Sequence, residues 1–299
     1  MTSKSIDHSG LTFRRDYFGD LTAWQALVDL LKDTFDIDIG PLQQMGGPDP
    51  SSMPFGWFAA DGQLAANLSA FAMPLMVNGR TVKAAAFQSG AVRPAWRGRG
   101  LYRDLTQKAL AWCEEKGFEA IVLYTDKPAL YEPYGFHVLP MHAYSGPAPA
   151  PAASGRPART LDPSRPADLS VLQAALKRRM PVSETLAVVE SAAMFLINTR
   201  LDPSVRLSFI EDRQTVIAWK ADGDRFILLD VVAQQIAALA EIIGGLGLRP
   251  AMAEVLFCPD RLGWEGETRA PGGGTCFMFR ASDEIALEAP AMLSPMADF

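Results

Sequence analysis

Residues 91–105, Ala-Val-Arg-Pro-Ala-Trp-Arg-Gly-Arg-Gly-Leu-Tyr-Arg-Asp-Leu, pass from the end of a strand through an arginine- and glycine-rich turn into an amphipathic helix. Glycine lets the backbone come close to a ligand, and the first-turn amides of a helix point outward at the positive end of its dipole. Such an end binds anions, pyrophosphate above all. Arg93, Arg97, Arg99 and Arg103 concentrate positive charge here in a chain whose net charge is −6, which strengthens the phosphate reading. A surface turn whose glycines serve only a tight bend has the same local signature, so the flanking elements decide.

Upstream, apolar residues at Trp24, Leu27, Val28, Leu30, Leu31 and Phe35 predict a helix over 22–35, with Asp20 or Thr22 as its cap. A Pro/Gly-rich loop over 40–54 precedes three strand-like runs, 55–60, 64–77 and 81–92, with Asp61-Gly62 and Asn78-Gly79 as hairpin turns. Downstream, Leu101, Leu105, Ala109, Trp112 and Cys113 mark one helix face and Gly117 its C-terminal cap. The continuous apolar run 120–124 reads as a strand covered on both faces. A short helical turn over 127–131 and a strand over 136–139 follow. Antiparallel strands, then strand–turn–helix–strand, make an α/β fold on a mixed, mostly antiparallel sheet.

At 299 residues and 48% hydrophobic, the chain exceeds one ordinary domain. Residues 145–160 are nearly all Pro, Ala, Gly and Ser, a composition that cannot bury apolar area. The expected division is therefore a domain over 1–145, a linker over 146–160 and a second domain over 161–299. That second half reads as helices at 168–180, 183–199 and 233–243, with strands at 205–210, 215–220, 225–232, 252–257 and, closing it, 276–280. Gly244-Gly245-Leu246-Gly247 reads as a helix cap and Gly272-Gly273-Gly274 as a flexible loop.

Three scattered cysteines and three histidines offer no metal-ligand spacing, so no metal is expected. Met1–Gly10 contains no apolar stretch, and no later segment reaches the length of a membrane span. A soluble cytoplasmic protein without membrane or nucleic-acid partners is the expectation. The negative net charge suits a cationic small substrate.

With Arg97, Gly100 and Tyr102 on their positions, Val92 ending the strand five residues earlier, and Tyr131-Glu-Pro-Tyr-Gly-Phe136 downstream, the sequence resembles the GNAT superfamily of N-acetyltransferases. The superfamily's cofactor motif is Gln or Arg, two residues, Gly, one residue, then Gly or Ala. Tyr102 departs from that last position. The enhanced-intracellular-survival type of aminoglycoside acetyltransferase also carries a bulkier residue there, and follows its catalytic domain with a second GNAT-like domain lacking the phosphate loop. Here the helix expected after Val232 opens Ala233-Gln-Gln-Ile236, without glycine or arginine. The resemblance is residue-specific over 90–136 and architectural beyond.

It implies an acyl-CoA N-acyltransferase fold with a second GNAT-like domain, using acetyl-CoA as co-substrate to acetylate a primary amine of a small molecule. Gly90, Ala91 and Val92 would hydrogen-bond the pantetheine arm. Arg97 and the amides of Gly98, Arg99, Gly100, Leu101, Tyr102 and Arg103 would hold the pyrophosphate. Asp126 and Lys127 would border the cleft, ordinary turn residues being the equal alternative. Tyr131 is the expected general acid, against a packing role and against Tyr134 three residues on. An alkylammonium of pKa near 10.4 is only about 0.04% free base at neutral pH, so a base is required. In the two-domain relatives the C-terminal carboxylate can serve, which points to Phe299. Asp33, Asp36 and Asp38 are either attractors for a cationic acceptor or solvated helix-end charges. The second half would shape the acceptor cleft or make a homo-oligomer contact. A non-catalytic acyl-CoA-binding module and transfer of another acyl or aminoacyl group remain open alternatives.

Overall fold

The computed structural model describes residues 6–153, 155–272, 274–282, 285–287 and 290–299; Gly273 lies outside them. The first seven strands are β1 (Leu11–Arg15), β2 (Met53–Ala59), β3 (Leu64–Ala72), β4 (Leu75–Val77), β5 (Arg80–Val82), β6 (Ala84–Val92) and β7 (Ala120–Thr125). Helix α1 (Leu21–Phe35) lies between β1 and β2, and α2 (Leu101–Glu115) between β6 and β7. Next come β8 (His137–Leu139), β9 (Ala143–Pro147) and β10 (Arg159–Leu161). The rest is α3 (Pro166–Leu176), β11 (Leu186–Val188), α4 (Ala192–Leu201), β12 (Arg206–Ile210), β13 (Thr215–Asp222), β14 (Arg225–Val232), α5 (Leu239–Gly245), β15 (Met252–Val255), β16 (Glu267–Arg269) and β17 (Cys276–Ala281).

Two seven-stranded sheets result, ordered β1-β2-β3-β6-β7-β17-β8 and β10-β12-β13-β14-β15-β9-β16. Each contains a single parallel pair, β6 with β7 and β14 with β15, so the fold is the mixed, mostly antiparallel α/β class expected. The sheets exchange strands. β17, which chain order assigns to closing the second half, instead lies between β7 and β8 of the first sheet. β9 crosses the other way and lies between β15 and β16. Phe277, Met278 and Phe279 of β17 are buried, two against one face of the first sheet and one against the other. An alternating apolar strand covered on both faces fits wherever a central slot is free, and nothing in its own sequence says which sheet provides it.

Helix α1 begins at Asp20, whose carboxylate accepts from the Thr22 and Ala23 amides at 2.9 and 3.2 Å, satisfying two orphan donors. It ends where Asp36 turns left-handed at φ 58°. Its Trp24, Leu27, Leu30 and Leu31 are buried on the first sheet, each burial worth about 1.5–3 kcal/mol. Helix α2 covers the opposite face through Leu101, Leu105, Ala109 and Cys113, and burial pushes the Cys113 thiol up to about 12.

Two expected helices change character. Over 183–199 the Ser183 hydroxyl accepts from the Thr185 and Leu186 amides, at 2.9 and 3.2 Å, which turns the chain into β11 before α4 begins. β11 then pairs with β4, joining the β4–β5 hairpin to the second half. Over 233–243 only α5 is helical. Ala233 spends its carbonyl on the Met180 amide, and Glu241 accepts from the Ala238 amide at 3.1 Å, starting the helix late. The 64–77 and 81–92 runs are likewise each cut in two, at Met73-Pro74 and at Lys83.

Both parallel pairs open after a few residues. β6 and β7 pair only at Ala84–Ala120, Ala85–Ile121 and Ala86–Val122, leaving β6 from Phe87 to Val92 without a partner on that side. β14 and β15 end at Leu228–Val255, and there the gap is filled by the chain's own C-terminal segment. Ser294 Oγ donates toward Leu229 O and Asp230 Oδ2 at 2.9 and 3.0 Å. Across the gap, the Met292 amide and carbonyl both meet Cys258 Sγ, at 3.3 and 3.7 Å. Asp230 is held by Arg179 through two hydrogen bonds of 2.7 and 3.2 Å, both side chains almost wholly buried. This segment thus occupies in the second sheet the opening that stays free in the first, and then runs on to Phe299. Removing one member of a buried pair leaves an uncompensated charge. Arg179→Met is therefore expected to cost about 3–5 kcal/mol in chemical denaturation, while Arg156→Met, on the surface, changes stability by less than about 0.5 kcal/mol.

Candidate active site

The opening between β6 and β7 leads into a cavity of about 700 Å³. It is lined by Gln88, Ser89, Gly90 and Arg97 from β6 and the turn, and by Tyr124 to Lys127 and Tyr131 from β7 and the following loop. The rest of its wall comes from α1, the 39–42 turn, α4 and the terminal pair Asp298 and Phe299. A second depression of about 570 Å³, beside Tyr144, Cys258, Asp260 and Trp264, contains none of the expected site residues.

The unpaired edge of β6 carries a bulge. Register against β3 jumps between Asn67–Ala91 and Ser69–Gln88, and Ser89 takes φ 57°, an uncommon conformation for a residue with a side chain. Asn67, fully buried, holds it: its amide donates to Ser89 O at 2.9 Å and to Ser69 Oγ at 3.1 Å, while its carbonyl accepts from the Tyr17 hydroxyl. The sequence offered no motif for this prop. Its only trace was an Asn inside an apolar strand, a residue type that strands disfavour.

Beyond Val92 the turn enters α2 with Gly98 and Gly100 both at φ 80°. An added Cβ at Gly98 would meet nothing within 4 Å, so its approach side is open, and α2 has no side-chain cap. No acceptor among the described residues takes the amides of Gly98, Arg99, Gly100, Leu101 or Tyr102. These are the donors an anion needs at a helix start. The arginines divide. Arg97 donates from Nε to Val92 O at 3.1 Å and lines the cavity. Arg99 stacks on Trp96 at 4.5 Å and reaches back to Ser9 O at 3.4 Å, away from the cavity. Arg93 is tied to Asp33 at 2.5 Å, and Arg103 folds back over Gly100. Leu101 is buried, so only its amide can serve.

Tyr102, the misfit of the motif, meets Tyr131: their hydroxyls are directly hydrogen-bonded, and the rings stand edge to face with centroids 6.1 Å apart. A Cβ on Gly90 would collide with the Tyr102 hydroxyl and ring, so the strand glycine and the helix tyrosine fit as a pair. Burial raises the Tyr131 phenol, and the hydrogen bond from Tyr102 offsets part of that rise. Burial, then the neighbouring Tyr131, pushes Tyr102 up well above the phenol range. Both are neutral proton carriers near pH 7. Tyr134 is only half-buried and does not line the cavity.

Carboxylates sort by partner. Asp36 pairs with Lys32, Asp33 with Arg93, and Asp38 accepts from the Gly40 amide, so all three serve the end of α1. At the cavity wall, Asp126 faces Lys127 at 3.5 Å and Asp49 accepts from the Ser51 amide and hydroxyl. Asp298 accepts from the adjacent Phe299 amide at 2.9 Å and no cation pairs with it among the described residues. Its side chain is exposed to solvent at the cavity wall, yet the protein crowded around it hinders hydration and raises its carboxyl above the usual range, the Phe299 amide pulling back. Asn198 on α4 fixes the segment by donating to Asp298 O at 2.7 Å. The Phe299 ring packs on Tyr124 and Phe71 at 5.4 and 5.8 Å. Sequence reading reached Phe299 but passed over Asp298 and Asn198, which no spacing connects to Tyr131.

A parallel pair that splays beside a bulged strand, with a bare helix start below it, defines an acyltransferase-type cleft. Residues 21–139, the stretch that holds the β6–β7 opening, match the family model for the acetyltransferase (GNAT) domain. No curated protein matches the sequence. Among solved structures, a probable N-acyltransferase from Enterococcus faecalis V583 aligns at TM-score 0.60 and 13% identity over 91% of this chain and 72% of that one. Eis1 from Mycobacterium abscessus aligns at 0.58 and 16% over 92% and 74%. A GCN5-related N-acetyltransferase from Kribbella flavida aligns at 0.56 and 16% over 93% and 73%. At these identities the likeness is one of fold, and it extends over both sheets. Among the described residues no helix is long and apolar enough to cross a membrane, and no three His, Cys, Asp or Glu side chains gather as a metal site.

Overpacking a filled site typically costs about 1–3 kcal/mol. Gly90→Ala is expected to lower the thermal midpoint by that mechanism, and Tyr102→Phe in the same chain to restore much of it, because the colliding hydroxyl is gone. Additive losses in differential scanning calorimetry would mean that the two positions do not share one space.

Proposed function

We propose that this protein transfers an acetyl group from acetyl-CoA to the primary amine of a small molecule. The observation that carries the reading is one cavity whose wall brings Gly90, Arg97 and Tyr131 together with Asp298 and Phe299. Acetyl-CoA supplies the thioester. The unpaired edge of β6 over Gly90, Ala91 and Val92 is suited to hold the pantetheine arm and to polarise the thioester carbonyl with an N–H, as an oxyanion donor does. Arg97 and the open amides from Gly98 to Tyr102 would take the pyrophosphate, with Arg103 beside them and Asp126 and Lys127 at the rim.

The amine nitrogen attacks the carbonyl carbon, the C–S bond breaks, and Tyr131 protonates the departing thiolate, with Tyr102 donating to the Tyr131 oxygen as charge develops there. The proton lost by the ammonium goes to a carboxylate on the terminal segment. Asp298 is the side chain placed for this, and the Phe299 carboxylate is the alternative on the same segment. The chain is read as two GNAT-like units joined through residues 146–160, with β9 and β17 exchanged.

Proton transfer of this kind contributes about 10²–10⁴-fold in rate. Tyr131→Phe should lower kcat in a thiol-release assay by that order, and Tyr134→Phe should leave it within about twofold; equal, mild effects would remove Tyr131 as the acid. Binding of acetyl-CoA with no thiol release on any amine would favour a non-catalytic acyl-CoA-binding module.

A base must be ionised, so activity rises with pH through its pKa. The raised Asp298 carboxyl places the acid limb of kcat/KM above the ordinary aspartate value of about 3.9, and Asp298→Asn should abolish that limb. Loss of turnover on appending two residues after Phe299, with Asp298→Asn still active, would assign the base to Phe299 instead.

A further inference from the structure

Resting on that transferase reading, we infer that the acceptor is a lipophilic amine with a single positive charge, an alkyl- or arylalkylamine, and not a polyhydroxylated or polycationic one. The apolar part of the cavity wall, which we assign as the acceptor arm, comes from α1, the turn after it and α4 through Trp24, Leu31, Phe35, Ile37, Ile197 and Leu201. Three of these are large apolar side chains left in contact with solvent: Phe35 at 48%, Leu201 at 42% and Ile37 at 37% exposure. They lie on α1, the turn just after it and α4, from different halves of the chain, and line one opening, so an apolar body entering between them would cover surface that the fold leaves wet.

The charges of this arm agree. Arg97 and Lys127, the two cations that line the cavity, come from the turn and loop assigned to the cofactor. Of the four carboxylates on the cavity wall, Asp49 accepts from Ser51 and Asp126 lies beside Lys127, which leaves Asp298 and the Phe299 terminus, neighbours on one segment, to meet an ammonium group. A second ammonium or a set of hydroxyls would be desolvated against leucine, isoleucine and phenylalanine without partners, and unpaired buried charge or polar groups are costly. One ammonium beside the terminal segment and an apolar remainder between α1 and α4 matches the apolar part of this wall, whose polar members are Thr34 and Asn198.

The test uses the full chain with acetyl-CoA and the series butylamine, hexylamine, octylamine and 2-phenylethylamine, beside spermidine and kanamycin. Burial of successive methylenes predicts that kcat/KM climbs up to about fourfold per CH2 along the alkyl series, with spermidine and kanamycin at least about 100-fold below octylamine. Phe35→Glu and Leu201→Glu, at exposed positions where folding is spared, should flatten that climb and raise the octylamine KM about tenfold, leaving the acetyl-CoA KM in place.

A flat series, or a preference for spermidine or kanamycin, overturns the inference while the transferase reading stands. A preference for octanoyl-CoA with short amines also overturns it, placing the acyl chain in the arm. No thiol release with any amine overturns the transferase reading. Calorimetric titration of octylamine into the CoA-loaded protein then tests the arm separately: binding that Leu201→Glu weakens supports it, and no binding, or binding no tighter than kanamycin, overturns it.

Discussion

Everything at this site depends on how short the β6–β7 pairing is. Three parallel pairs join the strands before they part, and the parting produces both the unpaired strand edge and the cavity. Two features keep it open. The Ser89 bulge, propped by Asn67 and Tyr17, turns β6 away from the ladder, and the Tyr102–Tyr131 contact spans the space beyond Gly90. Without a bulge the strand would continue its register, and an edge with free amides would tend to pair.

The same parting recurs at β14–β15 and has the opposite outcome. There Met292 and Ser294 bridge Cys258 and Asp230, so the chain itself supplies the hydrogen bonds that a ligand would otherwise make. With Ala233-Gln-Gln-Ile236 in place of a glycine turn, and only a short α5 behind it, that opening has no use for phosphate. What it does is seat the terminal segment, which then reaches the first cavity with Asp298 and Phe299. The exchange of β9 and β17, and α4 packing Met194 and Ile197 on one core and Phe195 and Leu196 on the other, bind the halves so closely that the cavity wall belongs to both.

The sequence by itself determined what local chemistry determines. The glycine–arginine turn, the start of α1 at Asp20, the Asn78-Gly79 hairpin and the strand–helix–strand order all follow from φ preference, capping and periodicity within a few neighbours, and they sufficed for the fold class and for the open turn before α2. Tyr131 was legible as a candidate because its motif lies on the same stretch, and it lines the cavity. Where side chains had to choose among equivalent distant slots, local rules ran out. Only tertiary structure decided that β17 serves the first sheet, that residues 186–188 form a strand against β4 and not a helix, that Tyr102 is a partner of Tyr131, and that Asp298 faces the cavity. Each of these rests on contacts between residues far apart in the chain, and such contacts are settled by what is left unfilled once the local elements have packed.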